Sequence, residues 1–338
     1  MQAVEPFYSE LIWRETSGGS RVVGGREVRF QEPGLVPVPY LHDSFEGTKI
    51  FTREGGGVLQ LSCPSQSPPV QDIAERGAVT KFSASSARRF RVVLAEVLDS
   101  AFDSAVLLTM TYPEEMHGVL QDWSVYKAHL RAYKAAFVRR FPQASGFWKL
   151  EFQSNGRPHY HCVVFGLGFD RCPRLLKVFI RWHSRTWFRI VGSNLNKHLL
   201  AGTRAEYPNH KEGARHYIAK YAVKQEQACE GFTGRYWGKI NRDVIPFAPV
   251  VVQQVTEREA TKVRRVLRKT IEVRVNDSNW KRALRGDPNA TRLQVSLNSS
   301  TWNNIKKPKR YRMRRNRSIT YLGNASAMRA MINRILFQ

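Results

Sequence analysis

Residues 146–166 read GFWKLEFQSNGRPHYHCVVFG. Two β-prone runs, 147–153 and 158–165, flank the turn signal Ser154-Asn155-Gly156-Arg157, so the segment is expected to fold as a β-hairpin. Alternate side chains of a strand share a face, which sends His159 and His161 to one side and Tyr160 and Cys162 to the other. Two imidazoles on one rigid strand are half of a divalent-metal site. The pair alone carries little weight, because nine histidines in 338 residues give ~0.24 His-x-His occurrences by chance. Two half-exposed histidines on an ordinary strand are the plain alternative. A carboxylate would complete a site for hard ions such as Mg or Mn, and Glu151 on the preceding strand is the candidate. Loop length decides whether it qualifies. A two-residue turn at Asn155-Gly156 would place Glu151 on the face of Tyr160. A three-residue loop over 154–156, with Gly156 left-handed, places it opposite His159. Gln153, on the same face, is the reserve ligand.

Outward from the hairpin, the run AVLLTMT at 105–111 ends at Tyr112-Pro113 and is expected to be a buried strand. Serine caps followed by Phe90, Val93, Leu94 and Leu98 predict a helix of about four turns from residue 83. Helical spacing over 123–141, closed by Pro142, predicts a second helix, and further helices are expected at about 175–189 and 212–227. This order of elements describes an α+β fold, an antiparallel sheet covered by helices. The first 80 residues are rich in Gly and Pro, with short strands such as 57–62 possible. After residue 250 a basic helix is expected at about 256–270, followed by a polar tail. The chain is expected to divide into an N-terminal segment of unknown role (1–82), a central α+β domain (83–245) and a basic C-terminal region (246–338).

A second constellation lies in RHYIAKYAVKQEQ, residues 215–227. Tyr217, Lys220, Tyr221 and Lys224 fall at i, i+3, i+4 and i+7, so two phenols and two ammonium groups share one helical stripe. Half-buried tyrosines on an amphipathic helix would show a similar spacing, but a lysine beside each ring is unlike core packing. A phenol next to a cation loses its proton more readily and can attack phosphorus, while the cation offsets phosphate charge.

Charge points to the same class of partner. The net charge is +26, and its distribution is uneven: residues 1–100 hold 11 Lys+Arg and 12 Asp+Glu, and residues 101–338 hold 43 and 16. An excess placed entirely in the last two-thirds offers phosphate contacts, so nucleic acid is the leading partner. Its densest part is KKPKRYRMRRNR at 306–317, where Lys306, Lys307, Lys309, Arg310, Arg312, Arg314, Arg315 and Arg317 are expected to bind DNA. The longest apolar stretch, 244–252, is far shorter than the ~18 residues of a spanning helix, and the N-terminus lacks a signal peptide's basic flank. Four irregularly spaced cysteines suggest no disulfide framework and a reducing compartment. No G-x-x-x-x-G-K-[ST] phosphate loop occurs, which excludes an NTP-driven motor of that type.

Three motifs in order, a strand ending LLTMTYP, then PHYHCVVFG, then YIAKYAVK, resemble those of the HUH rolling-circle replication initiators. The nearest branch is that of replication-associated proteins related to the gene A and gene II proteins of single-stranded DNA phages. The resemblance spans residues 83–239, and Arg235-Tyr236-Trp237-Gly238 is similar to a segment that often follows the third motif. Tyr160, between the histidines, departs from the usual aliphatic residue. The resemblance implies an RRM-like HUH endonuclease palm in which His159, His161 and Glu151 bind Mg or Mn and Tyr217 and Tyr221 are nucleophiles assisted by Lys220 and Lys224. It implies an enzyme that nicks single-stranded origin DNA by metal-dependent transesterification, leaving a 5′-phosphotyrosine and a free 3′-hydroxyl. Expected partners are origin DNA and a host helicase and polymerase, in the cytoplasm of a bacterial host and without a membrane. A relaxase, an HUH transposase-type strand transferase and a non-enzymatic nucleic-acid binder stay open as alternatives.

Overall fold

The computed structural model describes residues 20–23, 26–31, 47–53, 55–62, 79–116, 122–153, 155–208, 232–267, 270, 319–323, 330–331 and 333–334. Strands β1 (Ser20–Val23) and β2 (Arg26–Gln31) form one antiparallel pair, and β3 (Thr48–Arg53) and β4 (Val58–Ser62) a second. Helix α1 (Ala84–Ala95) starts at Ser83, whose side chain accepts the Ser86 N–H at 3.2 Å. That cap fixes the start as expected, but the helix stops after about three turns, leaving Leu98 beyond its end. Strand β5 (Val106–Met110) follows, then α2 (Trp123–Arg140), where the Asp122 carboxylate caps the Ser124 N–H at 2.8 Å and Pro142 lies just past the end. Strands β6 (Ser145–Phe152) and β7 (Pro158–Phe165) are the expected hairpin. Helix α3 (Pro173–Val191) has proline in its first turn and ends on Gly192 at φ +69°, the usual asymmetry of helix ends. Short α4 (Asn196–Ala201) leads into β8 (Thr203–Glu206), and β9 (Trp237–Ile240) and β10 (Val250–Val255) come later. Helix α5 (257–267) begins in a capping box, Thr256 Oγ1 accepting from the Glu259 N–H and the Glu259 carboxylate from the Thr256 N–H. Strand β11 (Ile319–Leu322) is the last. The helix expected at 212–227 lies outside the described residues.

The architecture is α+β, as the sequence suggests, but with two antiparallel sheets where one was expected. One sheet has the order β8-β5-β7-β6-β9 and uses only strands between residues 106 and 240. The other has the order β1-β2-β10-β3-β4-β11. It therefore joins strands from the N-terminal segment to strands from the C-terminal region, a nonlocal pairing that local patterns do not announce. No helix among the described residues is long and apolar enough to cross a membrane.

The five-stranded sheet buries both faces unequally. On one, Leu108, Leu150, Tyr160, Cys162 and Val164 pack under α2 and α3 against Tyr126, Tyr133, Phe137, Phe179 and Trp187. Burying each such side chain contributes roughly 1.5–3 kcal/mol, so this layer holds the domain together. Tyr160 fits this core because its hydroxyl donates to the Tyr126 carbonyl at 3.0 Å, which satisfies the polar end of a buried ring. On the other face, Leu107, Phe147, Val163 and Phe165 pack with Phe90, Val93 and Leu94 of α1. That helix covers only the end of the sheet away from the β6–β7 turn, since His159, His161 and Glu151 continue the same face toward the turn.

The two sheets meet at the end of α1. The Gly57 N–H donates to the Ala95 carbonyl at 2.7 Å, the Asp99 N–H to Gly55 at 2.7 Å and the Ala248 N–H to Glu96 at 2.8 Å. A Cβ on Gly57 would lie 2.6 Å from the Gly323 carbonyl oxygen, so this approach needs glycine. Within the junction Arg53 and Glu96 form a buried ion pair at 3.8 Å, and Arg53 also donates to the Ala248 carbonyl at 2.7 Å. Burial pulls the guanidinium below its usual pKa and the Glu96 carboxylate opposes that shift.

The α2–α3 interface contains a buried titratable pair. The Tyr133 hydroxyl and His183 Nδ1 are hydrogen-bonded at 2.7 Å, and the imidazole stacks on Phe179 at 5.8 Å. Complete burial pushes His183 from 6.5 down to about 4, with a Thr109 backbone contact opposing, and keeps the Tyr133 phenol protonated. Between those two values the native protein binds fewer protons than the unfolded chain, so this stability is fully present above pH 6.5 and is lost as pH falls toward 4. His129 and His198, also lowered by burial, act in the same direction. Urea denaturation at pH ~7 and ~5 is expected to show the wild type losing about 2 kcal/mol more than His183→Gln, which keeps an acceptor for Tyr133 but does not titrate. Equal losses in the two proteins would show that His183 is not the sensitive group.

Candidate active site

The site begins with a loop. Gly156 sits at φ +77°, its N–H donates to the Gln153 carbonyl at 2.8 Å, and the Gln153 N–H donates to the Arg157 carbonyl at 2.9 Å. These bonds close the hairpin with Phe152 opposite Pro158 and Glu151 opposite His159. This is the register that the metal-site reading requires. Lys149 lies opposite His161, and Thr109 of β5 lies on the far side of His161.

The side chains follow from that register. The His159 and His161 rings have centroids 4.5 Å apart, inclined at 51°. His161 Nε2 is 3.2 Å from Glu151 Oε2, and both residues are buried, at 5% and 6% exposure. Thr109 Oγ1 approaches His161 Nδ1 at 3.5 Å, and the Gln153 amide approaches His159 Nδ1 at 3.4 Å. Gln153 is exposed and His159 half-buried, so the cluster grades from a dry base at His161 to a wet rim at the loop.

Two imidazoles, one carboxylate and a rim amide on one face are the donors that borderline and hard divalent ions take. In type and placement they fit such an ion. As they stand, no group of three or more His, Cys, Asp or Glu among the described residues is gathered to hold one; His161 and Glu151 meet each other directly. An ion held by His159, His161 and Glu151 would take the place of that contact.

Sequence reasoning missed Lys149. It is fully buried, its ammonium lying 4.2 Å from the centroid of Phe82 and 5.5 Å from that of Tyr236, and it also donates to the Leu150 carbonyl. The signal was available: Lys149 precedes Glu151 by two residues and so shares its face. Arg204 of β8 stands opposite Thr109 and pairs with Glu206 at the exposed edge, adding a cation to the rim. Cys162, beside the histidines in sequence, faces the core, where burial pushes its thiol up to about 12, too high for a nucleophile.

Arg235-Tyr236-Trp237-Gly238 has a structural part in the site. Strand β9 pairs with β6, setting Trp237 opposite Lys149 and Gly238 opposite Trp148, whose Nε1 would lie 2.7 Å from a Cβ on Gly238. The Tyr236 hydroxyl donates to the Thr80 carbonyl at 3.1 Å, and Trp237 donates to Ser86 at 2.9 Å and stacks on Phe90 at 4.7 Å. Tyr217, Lys220, Tyr221 and Lys224 lie outside the described residues, as do the eight basic residues of 306–317. The described chain on either side of 209–231 sits at opposite edges of the five-stranded sheet, with β8 at one and β9 at the other.

No curated protein and no solved structure matches the chain. A family model does: residues 105–226, from the start of β5 past both tyrosines of the third motif, match that of the replication-associated proteins of the ORF2 and gene II protein family.

Proposed function

We propose that the chain is a rolling-circle replication initiator that cuts one strand of origin DNA by transesterification. The observation that carries this reading is the contact of Glu151 with His161, on the face that also presents His159, inside the segment matched by the replication family. A tyrosine oxygen, from Tyr217 or Tyr221, attacks the scissile phosphorus; the P–O3′ bond breaks, the phenol gives up its proton and the departing 3′-oxygen takes one up. The products are a 5′-phosphotyrosine and a free 3′-hydroxyl, which a host polymerase can extend behind a host helicase. A free phenol has a pKa near ~10, so attack at neutral pH depends on Lys220, Lys224 and a neutralised phosphate. A Mg or Mn ion held by His159, His161 and Glu151 would supply Lewis-acid polarisation of a non-bridging phosphate oxygen. The i, i+4 spacing of Tyr217 and Tyr221 in the sequence is that of neighbours on a helix, which would let the second phenol attack the new junction while the first still holds the old end. The described residues that flank the segment containing both tyrosines end in β8 and resume at β9, both strands of the histidine-bearing sheet.

The test is incubation with single-stranded origin oligonucleotides and Mn or Mg, reading a protein–DNA adduct on a denaturing gel and its attachment by mass spectrometry. Tyr217→Phe and Tyr221→Phe are each expected to leave some nicking, and the double variant none. His161→Ala is expected to lower nicking by ~10²-fold or more, the worth of several kcal/mol of transition-state stabilisation, with salt-sensitive DNA binding retained. A nucleotide on another residue, or full activity in EDTA, would overturn the mechanism. DNA binding with no adduct under any condition would favour the binding-only reading.

The basic segment 306–317 calls for substitution rather than deletion, because β11 pairs with β4 and Tyr321 is buried. Removing everything after residue 300 would strip a strand from the sheet. Changing Lys306, Lys307, Lys309 and Arg310 to Gln is expected to lower affinity for origin and random DNA alike and to reduce the salt slope by ~3 on single strands. A loss confined to origin DNA would make the segment a specificity element.

A further inference from the structure

Helices α2 and α3 contain no carboxylate and ten Lys or Arg in their 37 residues. Surface helices ordinarily mix both signs, and like charges four apart cost ~0.2–0.5 kcal/mol per pair. On α3 the exposed Arg181, Arg185 and Arg189 follow one another at that spacing, each ~6 Å further along the axis. Exposed Arg139 and Arg140, at the end of α2, face them across a groove of about 790 Å³ whose floor includes the half-buried Trp182. Among the described residues no carboxylate pairs with any of the five. The indole is held from below by Phe141 at 5.0 Å and Phe179 at 5.7 Å.

The groove is remote from the candidate active site in a defined way. Helices α2 and α3 cover the sheet face of Tyr160 and Cys162, while His159 and His161 alternate to the other face. A polyanion seated between α2 and α3 therefore leaves the histidine cluster accessible.

We propose that the α2–α3 groove is a second DNA-binding surface, which grips the phosphodiester backbone of a segment that is not the one being cut. Five guanidiniums that project into solvent without acidic partners match a row of phosphates, which arginine contacts in a planar, two-pronged fashion. Such a grip reads charge and not sequence, as suits DNA held in place while the opposite face exchanges ends. The replication reading enters only in naming DNA as the polyanion.

The experiment compares the full-length wild type with the triple variants R181Q/R185Q/R189Q and R181K/R185K/R189K. Affinity for a long random single strand and for a duplex is measured by fluorescence anisotropy across a salt series. The glutamine variant is expected to bind at least ~10-fold more weakly at low salt, with the slope of log K against log salt reduced by about 2 on single strands and about 3 on duplex. The larger loss identifies which form of DNA occupies the groove. The lysine variant is expected to stay close to wild type in slope, and adduct formation with a saturating short origin oligonucleotide is expected to be unchanged in both variants. Unchanged affinity and slope in the glutamine variant would overturn the proposal, as would an equal loss in the lysine variant, which would trace the effect to packing. Unaltered DNA binding with loss of adhesion to phosphatidylglycerol vesicles would assign the surface to a membrane, alongside exposed Leu175 and Val178. If the wild type forms no adduct but the salt slope falls as expected, the groove stands and the nicking mechanism does not.

Discussion

The geometry of the site depends on one conformational constraint, the left-handed backbone of Gly156. A three-residue loop that needs a positive φ at its last position makes glycine the natural choice there. Because side chains alternate, moving the pairing by one residue would swap the entire content of one strand relative to the other between faces. Glu151 would then join Tyr160 in the core, an unpaired carboxylate under α2, and Leu150 would face the histidines. The aromatic layer under α2 and α3 forbids that slip as strongly as the loop does, since Leu150, Tyr160 and Cys162 are buried only in the observed register. Local turn chemistry and tertiary burial thus select the same pairing, which holds the histidine cluster in place.

The junction of the two sheets shows a different balance. Arg53 and Glu96 are both buried, and removing two charges from water costs several kcal/mol per ion before their attraction is counted. Their attraction offsets part of that cost, helped by the Arg53 bond to the Ala248 carbonyl. Loss of either partner would strand a buried charge between three backbone segments: the β3–β4 turn, the end of α1 and the approach to β10. The pair thus ties the six-stranded sheet, built from strands of the N-terminal and C-terminal regions, to the helix that covers one end of a face of the five-stranded sheet.

What the sequence revealed and what it hid divide along this line. The hairpin and the parity of its side chains were legible, but the register was not, because a two-residue and a three-residue loop were both open and only the second puts Glu151 with the histidines. The end of α2 was legible from Pro142, while α3 runs two residues past the expected 175–189 at each end, between Pro173 and Gly192. Strands β1, β2, β10 and β11 were not, because β10 pairs with β2 and β3 some two hundred residues away and nothing local encodes that meeting. Residues 250–252 registered only as the end of the apolar stretch 244–252, and the role of β10 emerges when its two neighbours are seen. Lys149 was hidden for another reason. A lysine in a strand is read as an exposed charge, and its burial rests on the Phe82 and Tyr236 rings, contributed by a loop and by the approach to β9.

The uneven placement of charge follows from where the stability of α2 and α3 resides. Their inner faces contribute Tyr126, Tyr133, Phe137, Phe179 and Trp187 to the main core. Tertiary burial of this extent outweighs the repulsion among exposed arginines, which amounts to ~1 kcal/mol for the two successive pairs on α3. The outer surface is thereby released from any duty to the fold and can hold one sign of charge without mutual neutralisation. The histidine face works under the opposite condition, since Glu151, His161 and Lys149 are buried and must be satisfied by one another and by the rings around them. One sheet thus separates two electrostatic regimes: on one side a desolvated cluster, where charges interact strongly at short range, and on the other a hydrated row of arginines, where solvent and salt screen them.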